Sequence, residues 1–160
     1  MTKEKNLEGL GGWLILVGIG VVLSPIRMAI ETCLTYPKLF TNGIWSLLAT
    51  AGTEVYNPFL AGILIVEIIV NIALVFAWIL LAYLFFSKKK IFPKCFIAIL
   101  LFNLIFIFMD ALAVKIAFPY EPMFDAQTSR ELVLVGRLIA VLIWAPYMLI
   151  SKRVKATFVR

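Results

Sequence analysis

Four apolar runs, at about residues 10–30, 58–86, 91–118 and 129–150, occupy most of this 160-residue chain. Each is long enough to supply the ~20 residues with which an α-helix crosses the hydrocarbon core of a bilayer. Soluble domains are about 45–50% apolar. Here the share is 63%, with a mean hydropathy of +1.03. So small a chain cannot hide that excess in a core of its own, and lipid must be the solvent for much of it. The expected fold is all-α: a four-helix transmembrane bundle forming one integral membrane domain over residues 1–160.

The breaks between runs carry recognisable signals. Pro58 suits a helix start, and Lys88-Lys89-Lys90 ends the second run. Pro93 and Lys94 open the third, and Pro119-Tyr120-Glu121-Pro122 closes it. Thr128 or Ser129 is expected to cap the fourth. Pro25 and Pro146 should bend the first and fourth spans near their ends. The opening Met-Thr-Lys-Glu-Lys resembles a signal-peptide flank, but the apolar run is long and no Ala-x-Ala-like site follows, so the span is expected to be retained. Residues 32–57 are too polar to span and are punctuated by Pro37, Asn42-Gly43 and Gly52. The apolar Leu39, Phe40, Ile44, Trp45, Leu47 and Leu48 leave two readings: an interfacial or partly re-entrant helix at about 43–51, or an ordered loop packed on the bundle.

Basic residues set the orientation. Lys3, Lys5, Lys88, Lys89, Lys90, Lys94, Lys152, Arg153, Lys155 and Arg160 fall on one side, against Lys38 and Arg130 on the other. That bias predicts both termini in the cytoplasm, and an even number of spans puts them on one side. The formal net charge of +6 therefore reflects topology, and no nucleic-acid partner is expected. On this topology Cys33 and Cys95 lie near opposite faces, roughly 30 Å apart. A disulfide needs Cα atoms within about 7 Å, so both are expected as free thiols. The chain has no histidine, which removes the usual general base and the commonest metal ligand. No cofactor, metal site or catalytic residue is expected, and a lipid-modifying enzyme is the least favoured class.

Six charges interrupt or border the spans: Arg27, Glu31, Glu67, Asp110, Lys115 and Arg137. A charge at the centre of a span costs roughly 2.5–3.5 kcal/mol on insertion scales, so it needs a partner or water. Counting ~1.5 Å per residue from the expected outer ends puts Glu67, Asp110 and Arg137 at one level, about 12 Å deep. Arg27, Glu31 and Lys115 fall nearer the outer rim. Helical spacing groups Glu67 with Asn71, Asn103 with Asp110, Arg130 with Arg137 and Trp144, and Gly20 and Ser24 with Arg27 and Glu31. Each span thus has one polar stripe, best placed facing the bundle interior.

These stripes support two readings. In one, the cluster lines an outward-facing cavity for an ion, a proton or a small polar ligand, with Glu67 as the proton carrier. In the other, Arg137 pairs with Asp110 or Glu67, the cluster serves packing, and the protein is an accessory or assembly factor for a larger membrane partner or for itself as a homodimer. Gly20-x-x-x-Ser24 is a small-residue pattern suited to a helix contact. Trp13, Tyr83 and Tyr147 suit an inner aromatic belt, and Tyr36, Trp45, Tyr56 and Tyr120 an outer one. The basic tail from Ser151 to Lys155 suits anionic lipid as a partner, and topology alone would also account for it.

Three motifs occur together: Leu10-Gly11-Gly12-Trp13-Leu14, then Ser24-Pro25-Ile26-Arg27, and finally Trp144-Ala145-Pro146-Tyr147 followed by Ser151-Lys152-Arg153-Val154-Lys155-Ala156-Thr157-Phe158. In order and distance they resemble a bacterial family of short inner-membrane proteins of unknown function that open with Gly-Gly-Trp-Leu. The resemblance covers nearly the whole chain except the long outer loop. It implies four spans in a bacterial inner membrane, with Arg27 and the terminal basic motif as hallmark positions, and it implies no activity.

Overall fold

A computed structural model describes residues 9–53, 56–117 and 124–159, with only the backbone described at 114, 117 and 124–130. Six helices follow in order: α1 (Trp13–Thr41), α2 (Ile44–Ala49), α3 (Pro58–Phe86), α4 (Phe92–Ala117), α5 (Phe124–Ile150) and α6 (Lys152–Thr157). No strand occurs among the described residues. Helices α1, α3, α4 and α5 are each long and apolar enough to cross a membrane. The chain packs α1 along α3, α3 against α4, and α4 along α5.

Apolar spacing explains which faces meet. The buried residues of α1 are Leu14, Val17, Gly18, Val21 and Pro25, in steps of three, four and one that mark a single helical stripe. Leu74, Trp78, Leu81 and Phe85 form the matching stripe on α3, and Phe92, Phe96 and Leu100 that on α4. Outside these stripes the helices expose large apolar side chains such as Ile69, Phe76 and Ile105, as lipid-facing surfaces do.

α3 starts at Pro58 as expected, with the Asn57 side chain accepting from the Leu60 N–H at 3.1 Å. Two boundaries differ from expectation. α5 begins at Phe124, so Thr128 and Ser129 lie inside it rather than capping it. α1 does not stop near residue 30 but runs on through Pro37 to Thr41. A proline removes one backbone donor, here the one facing the Cys33 carbonyl, and packing against α3 outweighs that single loss. At 29 residues each, α1 and α3 are about 43 Å long, beyond the ~30 Å hydrocarbon core. The segment after α1 contains the short helix α2, which rests on α1 and α3. Gly43, left-handed at φ 72°, makes the turn between them. The stretch Pro119-Tyr120-Glu121-Pro122, with Tyr120 expected in the outer belt, lies outside the described residues, as do Lys3, Lys5 and Arg160 and the Arg130 side chain.

The two ends of the chain meet. Thr157 Oγ1 donates to the Gly9 carbonyl at 3.1 Å. Any Cβ at Gly11 would collide with the Arg153 guanidinium, and Gly12 enters α1 at φ 60°. Gly12 is therefore favoured by its backbone conformation, while Gly11 leaves room for the Arg153 guanidinium, which a Cβ would push aside. The basic tail is not merely a juxtamembrane flank. It folds as α6, capped by Ser151, and buries Val154, Thr157 and Phe158. Phe158 stacks on Phe92 with ring centroids 4.6 Å apart and leans on Phe85 at 5.8 Å. This terminal end holds the densest part of the core.

Candidate functional site

Polar residues gather toward the opposite end, around α1. The extension of α1 beyond residue 30 carries Tyr36 to the flank of α3. Its hydroxyl donates to Glu67 Oε1 at 3.2 Å and accepts from Asn71 Nδ2 at 2.6 Å. Asn71 also donates to the Glu67 main-chain carbonyl at 3.0 Å, the i to i+4 relation expected of these two residues. Tyr36, expected as an outer-belt anchor, is half-buried and donates to the Glu67 carboxylate. The sequence did carry a signal for this. Met28, Glu31, Thr32 and Thr35 continue a single helical face past the apparent end of the span.

That face lines a cavity of about 270 Å³ between α1 and α3, completed by Tyr36, Glu67 and Asn71. A second cavity, of about 440 Å³, lies between α1 and α5, with Trp78 of α3 in its wall. Gly20, Leu23, Ser24, Arg27 and Met28 line it from α1, and Val133, Gly136, Arg137 and Ala140 from α5. Met28 belongs to both cavities, so the two are neighbours along α1. Gly20-x-x-x-Ser24 therefore borders an opening and not a helix contact. A Cβ at Gly20 would meet nothing within 4 Å. The close approach is made by Gly18, where a Cβ would lie 2.9 Å from the Phe85 ring.

Arg27 pairs with Glu31 at 3.4 Å along α1, with both side chains more than half exposed. An exposed i, i+4 pair contributes only about 0.3–0.5 kcal/mol in water. Its value here is positional, because it holds one charge toward each cavity. Arg137 lies within reach of the charges of Arg27 and Glu31. Among the described residues it makes no ion pair.

The levels of these charges differ from those expected. Tyr36 faces Glu67, and Gly18 faces Phe85, so α1 and α3 run antiparallel with Arg27 opposite Trp78. Arg27 lies nine residues before Tyr36 in α1, about 13 Å from the Glu67 level toward the terminal end. Arg27 thus does not lie at the loop end of α1, because the helix continues to Thr41. Arg137 shares its cavity with Arg27, while Glu67 lines the other. Asp110 is close enough for its charge to act on Tyr36, which places it near the Glu67 level. Asn103 is buried at 3% exposure on the α4 stripe that carries Phe96 and Leu100, and lines neither cavity. Lys115 is exposed in the last turn of α4. Cys33 and Cys95 are both free, the first exposed and the second partly so.

The family described as protein of unknown function (DUF2569) matches residues 7–159. Inner membrane protein YdgK of Escherichia coli (strain K12) is 32% identical over 157 residues, covering 95% of this chain and 94% of that protein. No solved structure matches the chain.

Proposed function

The chain belongs to the DUF2569 family and is a multi-pass inner-membrane protein, and we propose that it binds a small ion or polar molecule within the membrane, as a carrier or receptor for it. The observation behind this reading is the pair of adjoining cavities, whose walls hold Arg27, Glu31, Glu67 and Arg137 from three helices. Packing alone would be served by one closed ion pair, whereas these side chains border open space. The excess of lysine and arginine beside the termini supports a cytoplasmic location for that end. The cavity that holds Glu67 then opens toward the outside. Within it Glu67 is the proton or cation group, aimed by Tyr36 and Asn71.

The test is a chain with both native cysteines replaced by serine and Thr35→Cys introduced in the cavity wall. In intact cells a membrane-impermeant thiosulfonate is expected to label the introduced thiol from outside. Glu67→Gln is expected to leave folding intact while abolishing any proton or cation flux in proteoliposomes. A thiol that reacts only after denaturation shows a dry cluster and favours the accessory-protein reading. Unchanged flux in Glu67→Gln removes Glu67 from the pathway.

A further inference from the structure

The cavity between α1 and α5 has walls that select by charge. Two guanidinium groups, Arg27 and Arg137, border it, and the charge of Arg27 acts on Arg137. The carboxylate nearest to them, Glu31, is paired with Arg27 and lines the neighbouring cavity. The other walls bring no acidic side chain: Ser24 adds a hydroxyl, and Gly20 and Gly136 leave space, since a Cβ at either would meet nothing within 4 Å. Two like charges bordering one half-open cavity repel each other, and Glu31, paired with Arg27, offsets only one of the two. Arginine is the side chain suited to binding an anion, because its planar fork takes two oxygens of a carboxylate or phosphate at once and it stays protonated. A volume of about 440 Å³ accommodates such a group together with part of the molecule that bears it.

We infer that this cavity binds an anionic group of the carboxylate or phosphate class between Arg27 and Arg137. The inference rests on the reading that the cavities admit polar ligands, and it names the class of ligand for one of them. Two sources carry this chemistry: a dissolved anion and the headgroup of an anionic lipid entering sideways between α1 and α5. Ser24 provides the reporter, since it lies one helical turn from Arg27 on the same wall.

In the chain lacking native cysteines, Ser24→Cys is treated with three thiosulfonates: one neutral, one anionic with a sulfonate, and one cationic with a quaternary ammonium. Positive surroundings also raise the thiolate fraction, but that factor cancels in the ratio of anionic to cationic rates. The ratio is expected to exceed that of an exposed control cysteine by about ten-fold or more. Arg27→Gln and Arg137→Gln should each lower it several-fold, while Arg27→Lys and Arg137→Lys retain most of it. Reaction with the neutral reagent but a ratio at or below the control overturns this inference and leaves the polar-cavity reading standing. Failure of all three reagents before denaturation overturns both. Occupancy is then read as protection of the thiol introduced by Ser24→Cys. Protection by inorganic phosphate in detergent identifies a dissolved anion. Protection in phosphatidylglycerol nanodiscs and not in phosphatidylcholine nanodiscs identifies a headgroup. Absence of protection in both arms overturns the binding site.

Discussion

The terminal end and the loop end of this bundle use the same helices to opposite effect. At the terminal end, α1, α3, α4 and α6 close on one another around Leu14, Leu81, Phe85, Phe92 and Phe158, all 4% exposed or less. Further along, no residue of α1 after Pro25 is buried, and the Tyr36–Glu67–Asn71 set of hydrogen bonds beside a cavity links α1 to α3, with Leu60 and Ala61 of α3 the buried apolar residues near that end. Dispersion between close-packed apolar groups needs contact on every side, whereas a hydrogen bond holds two helices at one point and leaves space around it. A rigid base with an open, polar upper part is the arrangement a ligand site requires, since binding groups have to be held in place without being filled in.

The largest effect expected from this contrast lies at the base. Phe85→Ala removes a side chain in ring contact with Phe86, Phe92 and Phe158, and should cost about 3 kcal/mol or more in equilibrium unfolding in mixed detergent. Leu34→Ala, on an exposed face of the loop-end part of α1, should stay within about 0.5 kcal/mol. Equal losses at the two positions would break the comparison.

A sharper test separates two glycines two residues apart in one helix. Gly18→Ala places a Cβ 2.9 Å from the Phe85 ring and should cost about 1–3 kcal/mol through overpacking. Gly20→Ala points into open space and should leave stability unchanged or raise it by up to about 1 kcal/mol through helix propensity. If both alanines destabilise alike, the cavity wall at Gly20 is closed in the folded protein. A modest loss is expected in the open part. Tyr36→Phe leaves Asn71 Nδ2 and Glu67 Oε1 without their shared hydroxyl and should lower stability in detergent by about 1 kcal/mol, read from thermal unfolding.

Much of this architecture is legible in the residues. Pro58, Lys88 to Lys90 and the apolar runs fix the ends of α3 and the number of spans, because desolvation of a charge and the missing N–H of proline act locally. The relation of Asn71 to Glu67 is equally local, being one helical turn. The true end of α1 is not legible. Thr32, Thr35 and Lys38 lower its hydropathy, and α1, packed against α3 and α2, stays helical past Pro37 to Thr41. Sequence reasoning misses Tyr36 as a site residue for that reason, and places Arg27 too near the loop end of α1. The role of Gly11 is also hidden, since Arg153 that crowds it lies at the other end of the chain.

The sequence by itself determined that this chain is a four-span helical membrane protein, because transfer of apolar surface and charge between water and lipid sums residue by residue. Which charges share a cavity was decided only by the tertiary structure. The register of α1 against α3 and α5 follows from distant contacts, Gly18 with Phe85 and Trp13 with Trp144. A shift of one helical turn would move Arg27 about 5 Å along its neighbours, and no local pattern encodes that choice.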